Sequence, residues 1–191
     1  NNLKIALMNG CKNANLFLNS FVELEKENEI IQKFRWNENY SFELPFEPVA
    51  LTTPESQQSF GSTLLSPLQV ARSVSALSNA GEIPYPRLTL AVDTPQQDWV
   101  IFSAEEPIRI MDTLYANQTA NYFSRNDYPV WEIISTIDSD ENPIQWFVTG
   151  TMPDWQATPL VFVLTMENGT PIQVKELGRQ IMEQILTPGS K

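Results

Sequence analysis

Residues 66–81 read SPLQVARSVSALSNAG, and no other stretch of the chain specifies its structure so clearly. Ser66 is a favourable N-cap, Pro67 suits the first helical position, and Gln69 lies where a capping box places its second side chain. Gly81 favours the left-handed conformation that commonly ends a helix. The apolar residues in between recur at helical spacing: Leu68, Ala71, Val74 and Leu77. We therefore expect a helix that begins at Pro67, is capped by Ser66, and buries the side chains of Leu68, Val74 and Leu77.

The composition describes a globular, acidic chain. Its 191 residues are 42% hydrophobic and carry a net charge of −11, which disfavours disorder and nonspecific binding to nucleic acid or to an anionic membrane surface. Cys11 is the single cysteine and there is no histidine. The sequence therefore excludes internal disulfides, Cys-cluster metal sites, and Ser-His-Asp or Cys-His catalysis. It has no run of about 18 apolar residues, so no membrane-spanning helix is predicted.

The C-terminal part predicts an antiparallel sheet with a helix packed on it. Three segments have the periodicity of strands: residues 130–137, 144–151 and 160–166. Short polar connectors at residues 139–142 and 154–157 favour an antiparallel meander. Residues 174–186 follow a helical pattern that is expected to bury Val174, Leu177, Ile181 and Ile185 against the sheet.

The N-terminal part predicts helices followed by a long loop. Residues 3–8 read as the end of a helix that is broken near Gly10. A helical stripe then continues through Ala14, Phe17, Phe21 and Leu24, with one or two further turns at Ile30, Ile31 and Phe34. Residues 37–63 contain three prolines among polar residues and keep no period, which predicts a long loop.

The middle of the chain predicts a strand pair and another helix. Alternation of Leu88, Leu90 and Val92 favours a strand over residues 87–92, and residues 99–102 are expected to pair nearby. Pro107 is expected to begin a helix whose apolar residues are Ile108, Met111, Leu114 and Tyr115.

Four motifs occur in a characteristic order along the chain. Residues 66–71 read SPLQVA, residues 78–81 read SNAG, and PRL at residues 86–88 follows them. Residues 145–153, QWFVTGTMP, come later. This order resembles the second half of the transpeptidase domain of penicillin-binding proteins, where a Thr/Ser-Pro-Leu-Gln-hydrophobic-Ala helix precedes Ala-Asn-Gly-Gly-like residues, a Pro-x-Leu, and a Trp-Phe-Val-Gly-aromatic-x-Pro strand. The resemblance implies an α+β fold, the C-terminal part of a transpeptidase/β-lactamase-like domain, with an antiparallel sheet, a C-terminal helix packed on it, and a helical region before it.

The family's catalytic motifs are a Ser-x-x-Lys helix, a Ser-x-Asn loop and a Lys-Thr/Ser-Gly strand. No Ser-x-x-Lys occurs at a matching place, and the resemblance implies that it lies upstream of Asn1. The Ser-x-Asn loop corresponds to Gly10, Cys11 and Lys12, so glycine replaces the serine and lysine replaces the asparagine. Cys11 could be a nucleophile whose pKa a nearby Lys12 lowers, but no base accompanies it, and a small buried thiol is the favoured interpretation.

The Lys-Thr-Gly strand corresponds to residues 131–136. Its lysine and glycine are absent: Ile134 stands where the lysine would meet a ligand carboxylate, Ser135 follows, and Thr136 matches a threonine that comes after the glycine. The bulky side chains of Ile133 and Ile134 are expected to crowd the strand edge along which substrate pairs. VTGT at residues 148–151 looks like a second candidate, but the residues around it assign it to the next strand. The sequence therefore predicts no catalytic residue, no cofactor and no metal.

Three functional hypotheses remain at this point. In the first, residues 1–191 form a single transpeptidase-like domain, cut from a longer chain, that is non-catalytic and has a structural or protein-binding role in peptidoglycan synthesis. In the second, the chain is part of an active serine D,D-transpeptidase or carboxypeptidase whose Ser-x-x-Lys lies upstream. In the third, it is an unrelated α+β binding domain. By resemblance alone, the expected location is the outer face of a bacterial cytoplasmic membrane, with other cell-wall or membrane proteins as partners.

Overall fold

The structure, a computed structural model, describes residues 2–36, 65–87, 89–95, 98–103, 105–137 and 142–187, without the side chains of residues 2, 12, 15 and 16. Its helices are α1 Asn2–Met8, α2 Lys12–Asn19, α3 Leu24–Lys33, α4 Pro67–Ser78, α5 Thr113–Tyr122 and α6 Pro171–Leu186. Its strands are β1 Glu82–Ile83, β2 Ala91–Thr94, β3 Asp98–Ile101, β4 Ile108–Arg109, β5 Val130–Ile137, β6 Ile144–Thr151 and β7 Val161–Glu167. The long loop predicted at residues 37–63 and most of the connector at residues 139–142 lie outside the described residues.

The capping of α4 is confirmed. The Gln69 amide donates to Ser66 Oγ at 3.3 Å, and the Ser66 amide donates to Gln69 Oε1 at 2.9 Å, which completes a capping box. The helix ends where predicted, because Gly81 has φ +93° and its amide donates to the Ala76 carbonyl. Of the four backbone donors left free at the start of a helix, the Ser66 and Gln69 amides are thus satisfied locally and a third is absent at Pro67.

The predicted burial of the α4 stripe is wrong at its first residue. Leu77 is buried and Val74 half-buried, but Leu68 is 42% exposed. The helix instead buries polar side chains that bond to neighbouring backbone: Gln69 Nε2 donates to the Trp36 carbonyl at 3.0 Å and Arg72 Nε to the Pro84 carbonyl at 2.8 Å. Because these bonds satisfy Gln69 Nε2 and Arg72 Nε, that face can be buried, and Leu68 is turned away from it.

The three predicted strands form one antiparallel sheet in the order β5-β6-β7, which confirms that prediction. The pairing joins Val130 to Thr151 and Gly150 to Val161, so β7 begins one residue later than expected. Helix α4 and α5 cover one face through a core of Leu77, Ala120, Trp131, Val148 and Met152. On the other face Ile134, Phe147 and Val174 place α6 against the sheet. The sheet is therefore enclosed by helices on both sides.

Helix α6 packs on the sheet as predicted, but with a different face. Val174, Gly178 and Met182 are buried, while Leu177 is 40% and Ile185 49% exposed, and Ile181 is only half-buried. The reason is the Phe147 ring, which occupies the space a Cβ at position 178 would need. Since only glycine leaves that space, the helix turns position 178 toward the sheet and its neighbours Leu177 and Ile181 toward the sides.

The middle of the chain differs from two of the predictions. Pro107 does not begin a helix: Ile108 and Arg109 form β4, which pairs with β1, and α5 begins after Asp112, whose carboxylate accepts from the Leu114 amide at 2.9 Å. The buried face of α5 is made by Ala116 and Ala120, and the predicted apolar residues Leu114 and Tyr115 are exposed. A side-chain cap at Asp112 and strand pairing of Ile108 therefore outweigh the preference of proline for the first helical position.

The strand predicted over residues 87–92 begins later, at Ala91, and pairs with β3 as expected for residues 99–102. Leu88 lies outside the described residues, and Leu90 and Val92 are exposed. Strands β2 and β3 form a two-stranded sheet separate from β5-β6-β7, so the alternation of their residues does not correspond to a buried face.

The predicted stripe from Ala14 to Leu24 is interrupted. Helix α2 ends at Asn19 and α3 begins at Leu24. Ala14 is buried, whereas Phe17, Phe21 and Leu24 are exposed, with the rings of Phe17 and Phe21 in an edge-to-face contact at 4.9 Å. In α3 Ile31 is buried and Ile30 half-buried, as is Phe34 just after the helix. None of the helices in the described ranges has both the length and the apolar composition that crossing a membrane requires.

Candidate functional site

The turn between α1 and α2 lies directly against β5. Gly10 has φ +67°, and the turn is closed by backbone hydrogen bonds from the Gly10 amide to the Leu7 carbonyl and from the Cys11 amide to the Ala6 carbonyl. A Cβ built on Gly10 would lie 2.6 Å from the Ile134 carbonyl oxygen and 2.9 Å from Ser135 Cα. Both distances are shorter than real Cβ contacts, so the turn leaves no room for a side chain at position 10.

The first half of the same edge of β5 is also covered. Strand β5 is at one end of the sheet, so its outer backbone groups need other partners. The Glu132 amide donates to the Phe123 carbonyl at 3.1 Å, and the Arg125 amide donates to the Val130 carbonyl at 2.9 Å. Residues 123–125 thus occupy the first half of the edge, and the turn at Gly10 lies against the edge at Ile134.

The structure brings together some of the predicted site positions. Gly10 meets Ile134 and Ser135, as the resemblance to a Ser-x-Asn loop beside a Lys-Thr-Gly strand implies. Lys12 begins α2, and its side chain lies outside the described part. Thr136 is half-buried and donates from Oγ1 to Gln145 Oε1 on β6 at 2.6 Å, so its hydroxyl is engaged across the sheet. That none of these positions is catalytic stays a prediction.

Two predictions about this site are wrong. Cys11 is exposed, not a buried thiol. The side chains of Ile133 and Ile134 do not crowd the strand edge: Ile134 is buried with Phe147 and Val174 under α6, and Ile133 packs into the core on the opposite face. Successive side chains of a strand point to the two faces of the sheet and not along its edge. The edge of β5 is therefore covered by neighbouring backbone and not by these two isoleucines.

A buried ion network beside the site was missed by sequence reasoning. The carboxylate of Glu132, on β5, is almost fully buried and accepts both Nε and Nη2 of Arg179, the Nε bond being 2.9 Å, while Arg125 Nε approaches it at 3.9 Å. Arg125 also binds Asp127 and Glu183, and its hydrogen bonds to Asp127 raise the pKa of the guanidinium. The signal available in the sequence was a glutamate between Trp131 and Ile133, since a carboxylate in an apolar strand requires a cation.

The exposed partner of this network has a shifted pKa. Hydrogen bonds from Arg125 to Asp127, at 2.6 and 2.9 Å, lower the pKa of the Asp127 carboxyl to about 2. The network joins β5 to α6, and each of its charged groups lies beside at least one group of opposite charge. Within the described ranges, no group of three His, Cys, Asp or Glu side chains could hold a metal ion.

The fold is similar to solved transpeptidase structures. Penicillin binding protein 3 from Mycobacterium tuberculosis, in its apo form, matches 99% of this chain with a TM-score of 0.75 and 16% sequence identity. The D,D-transpeptidase domain of a peptidoglycan glycosyltransferase from Eggerthella lenta matches 94% with a TM-score of 0.67 and 16% identity. A peptidoglycan synthetase from Bifidobacterium adolescentis matches 93% with a TM-score of 0.62 and 17% identity.

The chain has the fold of the C-terminal part of a penicillin-binding-protein transpeptidase domain. It covers 52% of the first of these structures, 53% of the second and 39% of the third, so it spans about half their length or less. No protein-family model and no curated protein sequence matches the chain. The likeness confirms the fold predicted from the motifs at residues 66–88 and 145–153. A shared fold does not by itself establish an activity, a substrate or a partner.

Proposed function

We propose that this chain acts in peptidoglycan synthesis as a non-catalytic transpeptidase-like unit with a structural or protein-binding role. Its fold and the names of the similar structures support the connection to peptidoglycan. The proposed place is the outer face of a bacterial cytoplasmic membrane, and the proposed partners are other cell-wall or membrane proteins. Its net charge of −11 disfavours nucleic acid as a partner.

The packing of Gly10 against β5 is the observation that carries the proposal. The resemblance places a serine hydroxyl of the active family at this position, where it would move a proton between nucleophile and substrate. Here a side chain would collide with the Ile134 carbonyl and with Ser135 Cα, which are backbone atoms and cannot turn aside as a side chain can. The space that the hydroxyl would need is filled by the protein itself.

A base for a serine nucleophile is also lacking where side chains are described. Catalysis by serine requires a neighbouring group that removes its proton. Two of the lysines contact other groups: Lys175 Nζ donates to Asn9 Oδ1 at 3.4 Å, and Lys26 Nζ pairs with Glu29 at 2.8 Å. Within the described side chains, no lysine donates a hydrogen bond to a serine or threonine hydroxyl. Since the resemblance implies a Ser-x-x-Lys upstream of Asn1, this absence concerns the described residues alone, and the proposal rests on the packing of Gly10 against β5.

The proposal predicts that the chain does not become acylated by a β-lactam. Catalytic groups of this kind act as a unit, so the loss of several should leave no specific reaction, not a slow one. Incubation with a labelled penicillin followed by intact-mass measurement should give no stoichiometric adduct, while an active transpeptidase domain treated in parallel is acylated. A stoichiometric adduct on any serine, or on the exposed Cys11, would overturn the proposal.

A second candidate is an active serine D,D-transpeptidase that carries its Ser-x-x-Lys outside residues 1–191. The coverage of about half of the similar structures favours it. It predicts acylation of the parent protein at a serine outside this sequence. It also requires catalysis with glycine at position 10, and replacing Gly10 should then leave the acylation rate unchanged if the protein remains folded.

A further inference from the structure

The turn that connects β7 to α6 contains an asparagine followed by a glycine. Asn168 comes directly after β7, and Gly169 precedes Thr170, the N-cap of α6. Asn168 is exposed and has φ +56°, a left-handed conformation that asparagine tolerates better than most residues with a Cβ. Its amide donates to the Pro143 carbonyl at 3.1 Å, so the backbone is anchored just before the pair.

The two groups of this pair that can react with each other are free of hydrogen bonds. Among the residues that the structure describes, none bonds to the Asn168 carboxamide or to the Gly169 amide. Because glycine has no Cβ beside its amide nitrogen, that nitrogen can approach Asn168 Cγ after rotation about the Asn168 backbone. A Cβ on Gly169 would overlap the Met166 side chain, so the packing itself favours glycine here.

The sequence has one other Asn-Gly pair, Asn9–Gly10, and there the same groups are held. Asn9 Nδ2 donates to the Ile5 carbonyl at 2.9 Å, and Asn9 Oδ1 accepts from Lys175 Nζ at 3.4 Å. The Gly10 amide donates to the Leu7 carbonyl at 3.1 Å, and the turn is packed against β5. A reaction between the two groups of this pair requires these contacts to open first. One dipeptide thus occurs in a held and in a free arrangement within the same chain.

We propose that Asn168 is a site of spontaneous deamidation and that the reaction loosens the start of α6. Hydroxide removes the proton of the Gly169 amide, and the nitrogen attacks Asn168 Cγ within the same turn. The N–Cγ bond forms, the Cγ–Nδ2 bond breaks, and Nδ2 leaves as ammonia with a proton from water, which leaves a cyclic imide. Water then opens the imide: attack at Cγ gives aspartate, and attack at the main-chain carbonyl carbon gives isoaspartate.

The two products act differently on α6. Both replace a neutral amide by a carboxylate near the start of the helix, where a negative charge is favourable. Aspartate keeps the main chain unchanged, but isoaspartate carries the main chain through its side chain and lengthens it by a methylene group. The longer path disturbs the capping box, in which the Thr170 amide donates to Gln173 Oε1 at 2.9 Å and the Gln173 amide donates to Thr170 Oγ1 at 3.2 Å. The reaction consumes only water, so it needs no partner and is independent of the β5 site.

The test compares the two pairs within the whole chain. The chain is incubated in mildly alkaline buffer, once folded and once in urea, and peptide mass mapping with fragmentation follows the conversion of Asn9 and Asn168 separately. In the folded chain we expect conversion at Asn168 at least about tenfold faster than at Asn9, because three hydrogen bonds must open at Asn9–Gly10. In urea the two positions should convert at similar rates. Mildly acidic buffer should slow both, because hydroxide removes the amide proton.

Three variants separate the site from its consequence. Asn168→Gln should abolish conversion at this position, because its imide ring would be larger and forms far more slowly, whereas Asn9→Gln should leave conversion at Asn168 unchanged. Asn168→Asp reproduces the aspartate product and should keep the capping box of α6. Hydrogen exchange compares it with the isoaspartyl fraction isolated by chromatography. The Thr170 and Gln173 amides of that fraction should exchange at least about threefold faster than in Asn168→Asp.

Conversion at Asn168 that is absent from the folded chain, or no faster than conversion at Asn9, would overturn the assignment of the site. Loss of ammonia from the same peptide in Asn168→Gln, at the rate of the unmodified chain, would also overturn it, because another residue would then be reacting. Equal hydrogen exchange in the isoaspartyl fraction and in Asn168→Asp would overturn the proposed effect on α6.

Discussion

At the scale of a single residue, Gly10 allows the turn between α1 and α2 to lie against β5. It has a positive φ and also touches the backbone of β5, so two separate requirements are met by the absence of a Cβ. A turn that required only the positive φ would accept asparagine. A turn that required only the close approach to β5 would accept alanine if the neighbouring atoms could move. Since the neighbours are the Ile134 carbonyl and Ser135 Cα, neither substitution is accommodated without moving β5 or the turn.

We predict that Gly10→Ala lowers the free energy of unfolding by about 2 kcal/mol or more. Strained left-handed backbone costs about 1–3 kcal/mol for a residue with a Cβ, and the collision with β5 adds to it. Asn13→Ala, at an exposed position on α2, is the control and should change stability by less than about 0.5 kcal/mol. Urea denaturation measures both. Equal stability of Gly10→Ala and the unmodified chain would show that the turn can move away from β5.

Serine at position 10 would meet the same two obstacles, the positive φ and the backbone of β5. Gly10→Ser adds the hydroxyl found in the active family and should destabilise the fold to a similar degree, so it should not create a working Ser-x-Asn loop. The absence of a side chain at position 10 is thus matched by the packing of the turn against β5.

At the scale of an element, α6 shows how one small residue selects the buried face of a helix. Its apolar residues predict a buried stripe through Val174, Leu177, Ile181 and Ile185. Val174 is buried as predicted, but the buried face continues through Gly178 and Met182. The Phe147 ring needs the space at position 178, and Arg179, next to it, reaches the buried Glu132. The stabilisation from the packed Phe147 ring and from the Arg179–Glu132 pair therefore exceeds the cost of leaving two aliphatic side chains of the helix exposed.

We predict that Gly178→Ala is destabilising although alanine is the better helix former. Alanine in mid-helix gains about 1 kcal/mol over glycine, whereas forcing a methyl group into the Phe147 ring costs about 1–3 kcal/mol or more. The expected net loss is about 1–2 kcal/mol in urea denaturation. Glu176→Ala, on the exposed side of the helix, is the control. A double variant with Phe147→Leu should lose less than the sum of the two single losses, and strict additivity would contradict the contact.

We predict that Ser66→Ala costs about 1 kcal/mol, the usual effect of losing an N-cap oxygen. The Ser66 hydroxyl accepts from the Gln69 amide and anchors the capping box of α4. Ser66→Asp keeps an acceptor at the same place and should retain most of the stability. Thermal unfolding of the two variants side by side gives the comparison, and an unchanged midpoint for Ser66→Ala would mean that the cap is dispensable.

At the scale of the whole molecule, the fold is a sheet with a core on each face and a charge network at one end. Ser78, at the end of α4, donates to the Thr151 carbonyl at 2.7 Å and accepts from Trp131 Nε1 at 3.0 Å, so it ties the helix to two strands. On the other face Arg125 and Arg179 join β5 to α6 through Glu132 and Glu183. The helices are therefore held to the sheet by polar contacts as well as by apolar packing.

The pKa of Asp127 gives this network a defined pH dependence. Its carboxyl has a pKa of about 2 in the folded chain and 3.8 ordinarily, so its contribution to stability is fully present above about pH 4 and is lost as the pH falls toward 2. We predict that the stability difference between the unmodified chain and Asp127→Asn is constant above about pH 4 and shrinks below it. Urea denaturation between about pH 5 and pH 2.5 measures it. A difference that does not change with pH would contradict the Arg125–Asp127 pairing.

The sequence by itself determined the parts of the fold that local chemistry specifies. A capping box, a proline at the first helical position and a glycine after the last turn fixed α4, because these preferences depend on neighbouring residues only. Strand periodicity with short connectors fixed β5, β6 and β7 in the same way. The motif order also predicted the correct fold.

Only the tertiary structure decided which faces are buried and what closes the site. The exposure of Leu68, the rotated face of α6 and the later start of α5 depend on partners distant in sequence: Trp36 and Pro84, Phe147, and the strand pairing of Ile108 with Ile83. The sequence showed that Gly10 lacks a hydroxyl, but not that β5 fills the space. A local pattern records which residues are apolar, whereas burial depends on where another part of the chain arrives, and that is settled by the packing of the whole molecule.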